Sequence, residues 1–341
     1  MSSPKKVAIE ILKFAGKDGA YKRKVSQFRN VISSKPDSKY LAEAGRYTVY
    51  ISLACPWACR VLMYLNTKKL IKNFNPVTST VDKDSIIDLA VVHWHMDDKG
   101  WRFPSAEDPC DAATADPNYG YRRIRELYFK SEPEYDGRFT VPVVWDKKSQ
   151  TIVNNESSEI IRFLNTEFNH LIEDPVAKAL DYYPEPLQPA IDELNELTYE
   201  NINNAVYKSG FATAQEVYEK EVINLFKHLD IVESKLKSQN EKNEKYLLGN
   251  NLTESDIRLF TTIIRFDPCY VQHFKCNLGT IRHDYPYLHN WVREIYWNVP
   301  GVKETVNFDH IKFHYTKSHI AINPHGITPL GPIPHILPLE N

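Results

Sequence analysis

Hydrophobic positions cluster at Tyr47–Leu53 (YTVYISL), with the alternation of β-branched, aromatic and small residues that predicts a strand. The pattern then changes to a helical period through PWACRVLMYLNTKK, and PVTSTVD (Pro76–Asp82) predicts a second strand. Residues 94–136 are polar and aromatic, rich in Asp, Pro and Tyr, and look like an insertion. RFTVPVVWD (Arg138–Asp146) and TIVNN (Thr151–Asn155) predict two more strands joined by a Lys-Lys-Ser-Gln turn. SSEIIRFLNTEF (Ser157–Phe168) follows as a helix, with Ser157 near its cap and Ile160, Ile161 and Leu164 on one face. Past the Pro-rich Tyr182–Pro186, helical period dominates over Leu187–Lys208, Ala214–Asn240, Glu254–Arg265 and Leu288–Asn298. The turn at 249–253 leads into a helix capped by Thr253, with Asp256 three residues on. Repeated Pro and Gly break the last residues, 317–341, and no internal repeat is evident.

The first half thus reads strand, helix, strand, insertion, strand, strand, helix. This is the order of a thioredoxin-like α/β domain, and an all-α domain follows it. The expected plan is a basic arm over 1–44, a thioredoxin-like domain over 45–170 with its insertion near 94–136, and a linker over 171–186. A helical domain over 187–316 and an irregular tail over 317–341 complete it. Such a fold places a cis proline before its third strand, which turns the backbone of the preceding residue towards a ligand; Pro142, after Val141, fills that place.

Composition narrows the classes. A chain of 341 residues fits two domains, and 42% hydrophobic with 25% charged residues fits globular cores. The net charge of −2 points to neither nucleic acid nor a membrane surface. Residues 1–35 carry nine Lys/Arg against Glu10 and Asp18, which reads as a solvated basic arm, with an organelle address as the alternative. Five cysteines without a secretory segment ahead of them suggest a reducing, cytoplasmic setting.

The seam YISLACPWACR holds the candidate chemistry. Proline suits a first helical position, which puts Cys55 at the N-cap, where free amides and the helix dipole favour a thiolate. Cys59 is one helical turn further on. Disulfide geometry is met poorly at that spacing, so Cys59 reads as packing, with a resolving or metal role as the sharper alternative. A lone nucleophilic thiol needs a second thiol as partner, and glutathione would supply it. A helix start at Glu156-Ser157 suits the carboxylate and ammonium of its γ-glutamyl end, and Val141 its cysteinyl backbone. No metal is called for.

With these pieces in place, the chain resembles the glutathionyl-hydroquinone reductases, the Xi class of glutathione transferases. The resemblance rests on ACPWA (54–58), GWRF (100–103), GRFTVPVVWD (137–146) and TIVNNESSEIIR (151–162). It continues through NNAVYKSGFA (203–212), LTESDIRLFTTIIRFDPCYVQHFKC (252–276) and NFDHIKFHY (307–315). It implies Cys55 as nucleophile and Trp101, Arg138, Phe139, Thr140, Val141, Glu156 and Ser157 as glutathione contacts. Tyr207, Tyr270 and Tyr315 would line the hydroquinone pocket, with Tyr207 as proton donor. It also implies a homodimer acting on glutathione and quinone-derived small molecules. One departure stands at Cys59, where the bacterial pattern reads CPWAH. The rival readings are an omega-type thiol transferase or dehydroascorbate reductase, and a non-catalytic transferase-like binding protein.

Overall fold

Strand β1 (Tyr47–Ile51) is buried along its whole length, because it sits inside a four-stranded sheet of order β2-β1-β5-β6. Helix α1 (Pro56–Thr67) carries the chain over to β2 (Asp88–Val91), which pairs parallel to β1. Strands β5 (Val143–Asp146) and β6 (Thr151–Asn154) then add antiparallel neighbours on the other side of β1, with Tyr50 opposite Val143. Helix α3 (Ser157–Thr166) closes the unit by packing on α1. The topology is the thioredoxin-like one.

The second strand lies later than its expected place at Pro76–Asp82. There, Asn75 Oδ1 accepts from the amides of Val77 and Thr78, and Ser79 takes a left-handed conformation, so local turn chemistry wins. The run Ile86–Val92 supplies β2 instead: it is apolar and almost wholly buried, as a parallel strand covered on both faces should be. Residues 94–136 contain a hairpin, β3 (Met96–Asp97) with β4 (Gly100–Trp101), and helix α2 (Arg125–Ser131), whose Ser131 hydroxyl accepts from Ile152 N at 2.9 Å.

The computed structural model describes residues 15–16, 18–21 and 25–339, so the first 14 residues of the expected basic arm, with 17 and 22–24, lie outside the described residues. Its described part from residue 25 is no solvated arm. Asn30 N donates to Val153 O at 3.0 Å, Asn155 N donates to Phe28 O at 3.1 Å, and Ile32 and Tyr40 are buried. The segment therefore continues the sheet beyond the edge of β6.

The described residues divide into two units, one of 25–181 and Glu304–His314, the other of 15–16, 18–21, Tyr182–Lys303 and 315–339. Short helix α4 (Pro175–Ala179) ends the long piece of the first, and the buried ammonium of Lys68 donates to Leu180 O at 2.6 Å just beyond it.

The second unit is helical. Its first expected helix, Leu187–Lys208, is broken into α5 (Gln188–Thr198), a wide π turn at Tyr199–Asn203, and α6 (Ala205–Gly210). Buried Asn203 explains the bulge, since its side-chain amide donates to Thr262 Oγ1 at 2.7 Å rather than facing solvent. Helix α7 (Gln215–Glu241) is long and surface-facing, whereas α8 (Glu254–Ile263) is buried on all sides. At the start of α8, Asp256 accepts from Thr253 N at 3.0 Å and Thr253 Oγ1 at 2.8 Å, and it also takes Trp291 Nε1 at 2.9 Å. A second π turn, Phe266–Tyr270, leads to α9 (Val271–His273), α10 (Ile281–Asp284), α11 (Pro286–Asn298) and α12 (Phe308–Ser318). The tail after α12 is irregular but pinned: Arg282, Trp297 and Arg293 donate to the carbonyls of Pro334, Leu337 and Pro338. Among the described residues no helix is long and apolar enough to cross a membrane.

Candidate functional site

In the first unit, β1 ends at Ile51, and a turn in which Cys55 N donates to Ser52 O at 3.2 Å aims the chain into α1. Cys55 is the N-cap, in extended conformation, and Pro56 occupies the first helical position. No acidic side chain sits in the first turn, so the amides and dipole of α1 face a half-buried sulfur without a competing carboxylate. Antiparallel pairing of β5 with β1 brings the start of β5 beside the end of β1. Consequently Cys55 Sγ lies 3.6 Å from the carbonyl oxygen of Val141, and the Val141–Pro142 peptide is cis, as the sequence predicts. Cys59 is buried, with Sγ 3.7 Å from Thr305 O, the contact of a packing residue; none of the five cysteines is in a disulfide.

Around this seam the other expected residues of the first unit form a connected set. Tyr128 of α2 donates to Thr140 O at 2.8 Å and accepts from Asn155 Nδ2 at 3.2 Å, tying the 138–141 loop to the residue before Glu156. Tyr135 donates to Arg138 O at 3.1 Å, and Phe139 packs edge-on against Tyr128 and Phe129. Gly100, at φ +83°, lets β4 approach Phe139; a Cβ there would lie 3.3 Å from the Phe139 Cβ. The next residue, Trp101, is buried and stacks on His314 with ring centroids 4.6 Å apart. Glu156 is the N-cap of α3, with Oε1 accepting from Ser158 N and Oγ at 3.2 Å each, while Ser157 is buried behind it. The cap role thus falls to Glu156, with Ser157 beside it as the first helical residue.

In the second unit the three expected tyrosines meet. Tyr315 Oη lies 2.7 Å from Tyr207 Oη and 3.0 Å from Tyr270 Oη, a row of three phenols with Tyr315 in the middle. Tyr270 and Tyr315 are buried, and Tyr207 is half-buried. Burial pushes both the Tyr270 and the Tyr315 hydroxyls well above the ordinary phenol range; at Tyr270 buried Arg265 pulls the other way, and at Tyr315 the neighbouring phenols push further up. Both therefore remain proton donors. Phe274 packs against all three rings, and glycine at 210 is required because any Cβ there would overlap the Phe274 ring.

Several neighbours of these residues escape sequence reasoning. Tyr128 and Tyr135 hold the 138–141 loop from within the supposed insertion, His314 braces Trp101, and Tyr21 stacks on Tyr207 with centroids 6.1 Å apart. Their signal in the sequence was only the abundance of aromatics, which does not single out any of them. Among the described residues no group of three or more His, Cys, Asp or Glu side chains is placed to hold a metal.

Comparison with known proteins agrees with this architecture. Residues 54–167 match the family described as Glutathione S-transferase, N-terminal domain, and residues 215–294 match its C-terminal domain. The Glutathione S-transferase omega-like 2 of Schizosaccharomyces pombe is 50% identical, over 96% of this chain and 97% of its own. The Glutathionyl-hydroquinone reductase YqjG of Escherichia coli is 45% identical, over 92% and 89%. The crystal structure of the Xi glutathione transferase ECM4 of Saccharomyces cerevisiae in complex with glutathione superposes with a TM-score of 0.84 at 48% identity, covering 93% of this chain and all of that one. With a thioredoxin-like unit, a helical unit and these relatives, the chain belongs to the Xi-class glutathione transferases, the family of the glutathionyl-hydroquinone reductases.

Proposed function

We propose that this protein is a glutathionyl-hydroquinone reductase, using glutathione as co-substrate. The Cys55 thiolate attacks the sulfur of a glutathione carried on an aromatic ring. The Cys55–glutathione disulfide forms, the carbon–sulfur bond breaks, and the electron pair left on the ring carbon takes a proton. A second glutathione then attacks the mixed disulfide, giving oxidised glutathione and restoring Cys55. The observation that supports this most is the position of Cys55: half-buried at an acid-free helix N-terminus, 3.6 Å from the Val141 carbonyl.

In this reading Trp101, Arg138, Phe139, Thr140, Val141, Glu156 and Ser157 hold the glutathionyl part, and Tyr207, Tyr270 and Tyr315 polarise the ring oxygen and deliver the proton. The row of hydroxyls, 2.7 and 3.0 Å apart, supports that role, since a proton given up by Tyr207 can be replaced along it. Tyr207, the more exposed phenol, is the donor to the ring. A homodimer in the cytoplasm completes the proposal, and sedimentation of the purified protein tests the oligomeric state.

The deciding experiment is a single turnover with glutathionyl-menadione, followed by intact mass. One glutathione added on Cys55 with menadiol released supports the reductase. A relative named omega-like keeps a thiol transferase as the second reading. It takes the lead if only a small glutathione disulfide modifies Cys55. Unmodified Cys55 with both reagents overturns the covalent mechanism.

A further inference from the structure

Near the amino terminus, Ala15 and Tyr21 pair as an antiparallel bridge and close a turn on itself. Within it Gly16 N donates to Ala20 O at 2.9 Å, and Gly19 N donates to Gly16 O at 3.0 Å. The turn sits on the connection between α6 and α7. Thr213 N donates to Gly19 O at 3.1 Å, and the approach is so close that a Cβ at position 19 would lie 3.0 Å from the Ala214 Cβ. Docked there, the turn lays the Tyr21 ring against two rings of the helical unit. Its centroid is 6.1 Å from that of Tyr207, with planes 28° apart, and 5.7 Å from that of Phe211, with planes 29° apart. Tyr207 and Phe211 are themselves stacked, 6.1 Å and 26° apart. Three rings from two distant parts of the chain thus share nearly one orientation.

We infer that Tyr21 is a positioning residue for the ring proton, its stacked ring helping to set the plane of Tyr207. The inference rests on the reading of Tyr207 as donor given above. The helices already hold this phenol: its hydroxyl lies 2.7 Å from that of Tyr315, Phe274 meets its ring edge-on, and Phe211 stacks on it. A hydrogen bond fixes where the phenol oxygen lies. It does little to stop the ring turning about its own long axis, which leaves the oxygen in place. A phenolic O–H lies in the plane of its ring, so that turn changes the direction in which the proton is offered. Stacked partners resist it, and Tyr21 is the one that the amino-terminal turn brings from outside the helices. A segment that charge alone reads as a solvated arm thereby takes part in aiming the donor.

The test compares, in single turnovers at saturating substrate, two reactions that both load glutathione onto Cys55. Glutathionyl-menadione requires the ring proton; oxidised glutathione does not. Wild type, Tyr21→Ala, Tyr21→Phe and Tyr207→Phe are measured with each. For Tyr21→Ala the rate of menadiol release should fall about tenfold, less than the 10²-fold or more that a lost general acid costs. Its solvent deuterium isotope effect should rise, and loading from oxidised glutathione should keep the wild-type rate. Tyr21→Phe retains the stacked ring and should restore menadiol release. Equal falls in both reactions would mark the turn as merely structural and overturn the inference. So would a Tyr21→Phe variant as slow as Tyr21→Ala, since the stacked ring would then not be what acts. If Tyr207→Phe is slow and Tyr21→Ala is not, Tyr21 is excluded and Tyr207 stands. If Tyr207→Phe releases menadiol at the wild-type rate, the reading of Tyr207 itself fails, and the role of Tyr21 fails with it.

Discussion

Replacing Tyr315 with phenylalanine removes one oxygen from the middle of the phenol row and leaves the ring packing in place. Two contacts disappear, at 2.7 Å to Tyr207 and 3.0 Å to Tyr270. Tyr207 is half-buried, and the fully buried Tyr270 keeps the Tyr207 hydroxyl as a neighbour, so no hydroxyl is stranded outright. Losing hydrogen bonds without stranding a group costs about 0.5–1.5 kcal/mol, so Tyr315→Phe should destabilise the protein by about that amount in urea titration. Tyr270→Phe with Tyr315→Phe should cost less than the sum of the single changes, because the two residues share one hydrogen bond. For activity, general-acid assistance is worth about 10²-fold or more, so turnover of glutathionyl-menadione should fall by at least about that factor. Glutathionylation of Cys55 by a small disulfide needs no ring proton and should continue at the wild-type rate. Retained turnover of glutathionyl-menadione, or an equal fall in both reactions by a folded variant, would refute the assignment of the proton to this row.

Other measurements probe separate parts of the molecule. Burial pushes the Cys110 thiol up to about 11 and the buried Cys276 thiol higher still, so maleimide at neutral pH should label Cys55 first; peptide mapping that finds Cys110 or Cys276 ahead of it would contradict this order. Cys59→Ala should still form the mixed disulfide and turn over within about threefold of wild type, because its sulfur faces Thr305; a loss of the glutathione adduct would mean that it resolves or activates Cys55. Asp146 is fully buried, and although burial opposes its charge, Arg46, Ser149 and the Lys148 amide hold its carboxyl below the usual range. Asp146→Asn should therefore cost about 1–3 kcal/mol in urea by taking the charged acceptor from Arg46, which keeps Lys39 O and Glu43, and an unchanged midpoint would refute the pair's role. Burial also pushes His93, His273 and His289 down to about 4, against about 6.5 unfolded. The unfolded chain then binds protons that the fold refuses, and stability should decline as pH falls from about 6.5 to about 4, by up to about 3 kcal/mol per histidine; a flat profile from pH 7 to 4.5 would contradict it.

The parts legible in the sequence were those where local chemistry and global fold agree. A strand ending in Cys55-Pro56 has few ways to continue except as a capped helix, and Val141-Pro142 ahead of a β-branched run marks the matching strand. The second strand was misplaced because β-propensity favoured PVTSTVD, while Asn75 and a left-handed Ser79 commit that stretch to turns. Charge alone reads residues 25–44 as part of a solvated arm, yet Asn30 and Phe28 extend the sheet through backbone bonds that residue type does not encode. The breaks at Tyr199–Asn203 and Phe266–Tyr270 were hidden because a π turn keeps a helical apolar period and betrays itself only through a buried Asn203. The tyrosine trio was found by resemblance; nothing in twenty tyrosines distinguishes Tyr315 as the one in the middle.

The division of the chain has a consequence for its biosynthesis. The sheet-bearing unit includes Glu304–His314, which supplies the Thr305 contact of Cys59 and the His314 ring against Trp101, while Tyr21 at the other end belongs with the helices. At about 5–20 residues per second, a ribosome that has completed α3 needs roughly ten to thirty seconds more to deliver His314. Through that interval the nascent amino-terminal half lacks the piece that contacts Trp101 and Cys59 in the finished fold. A fragment ending at the linker should accordingly fail to reach a stable fold, and final assembly of either unit must wait until the carboxy-terminal helix leaves the exit tunnel.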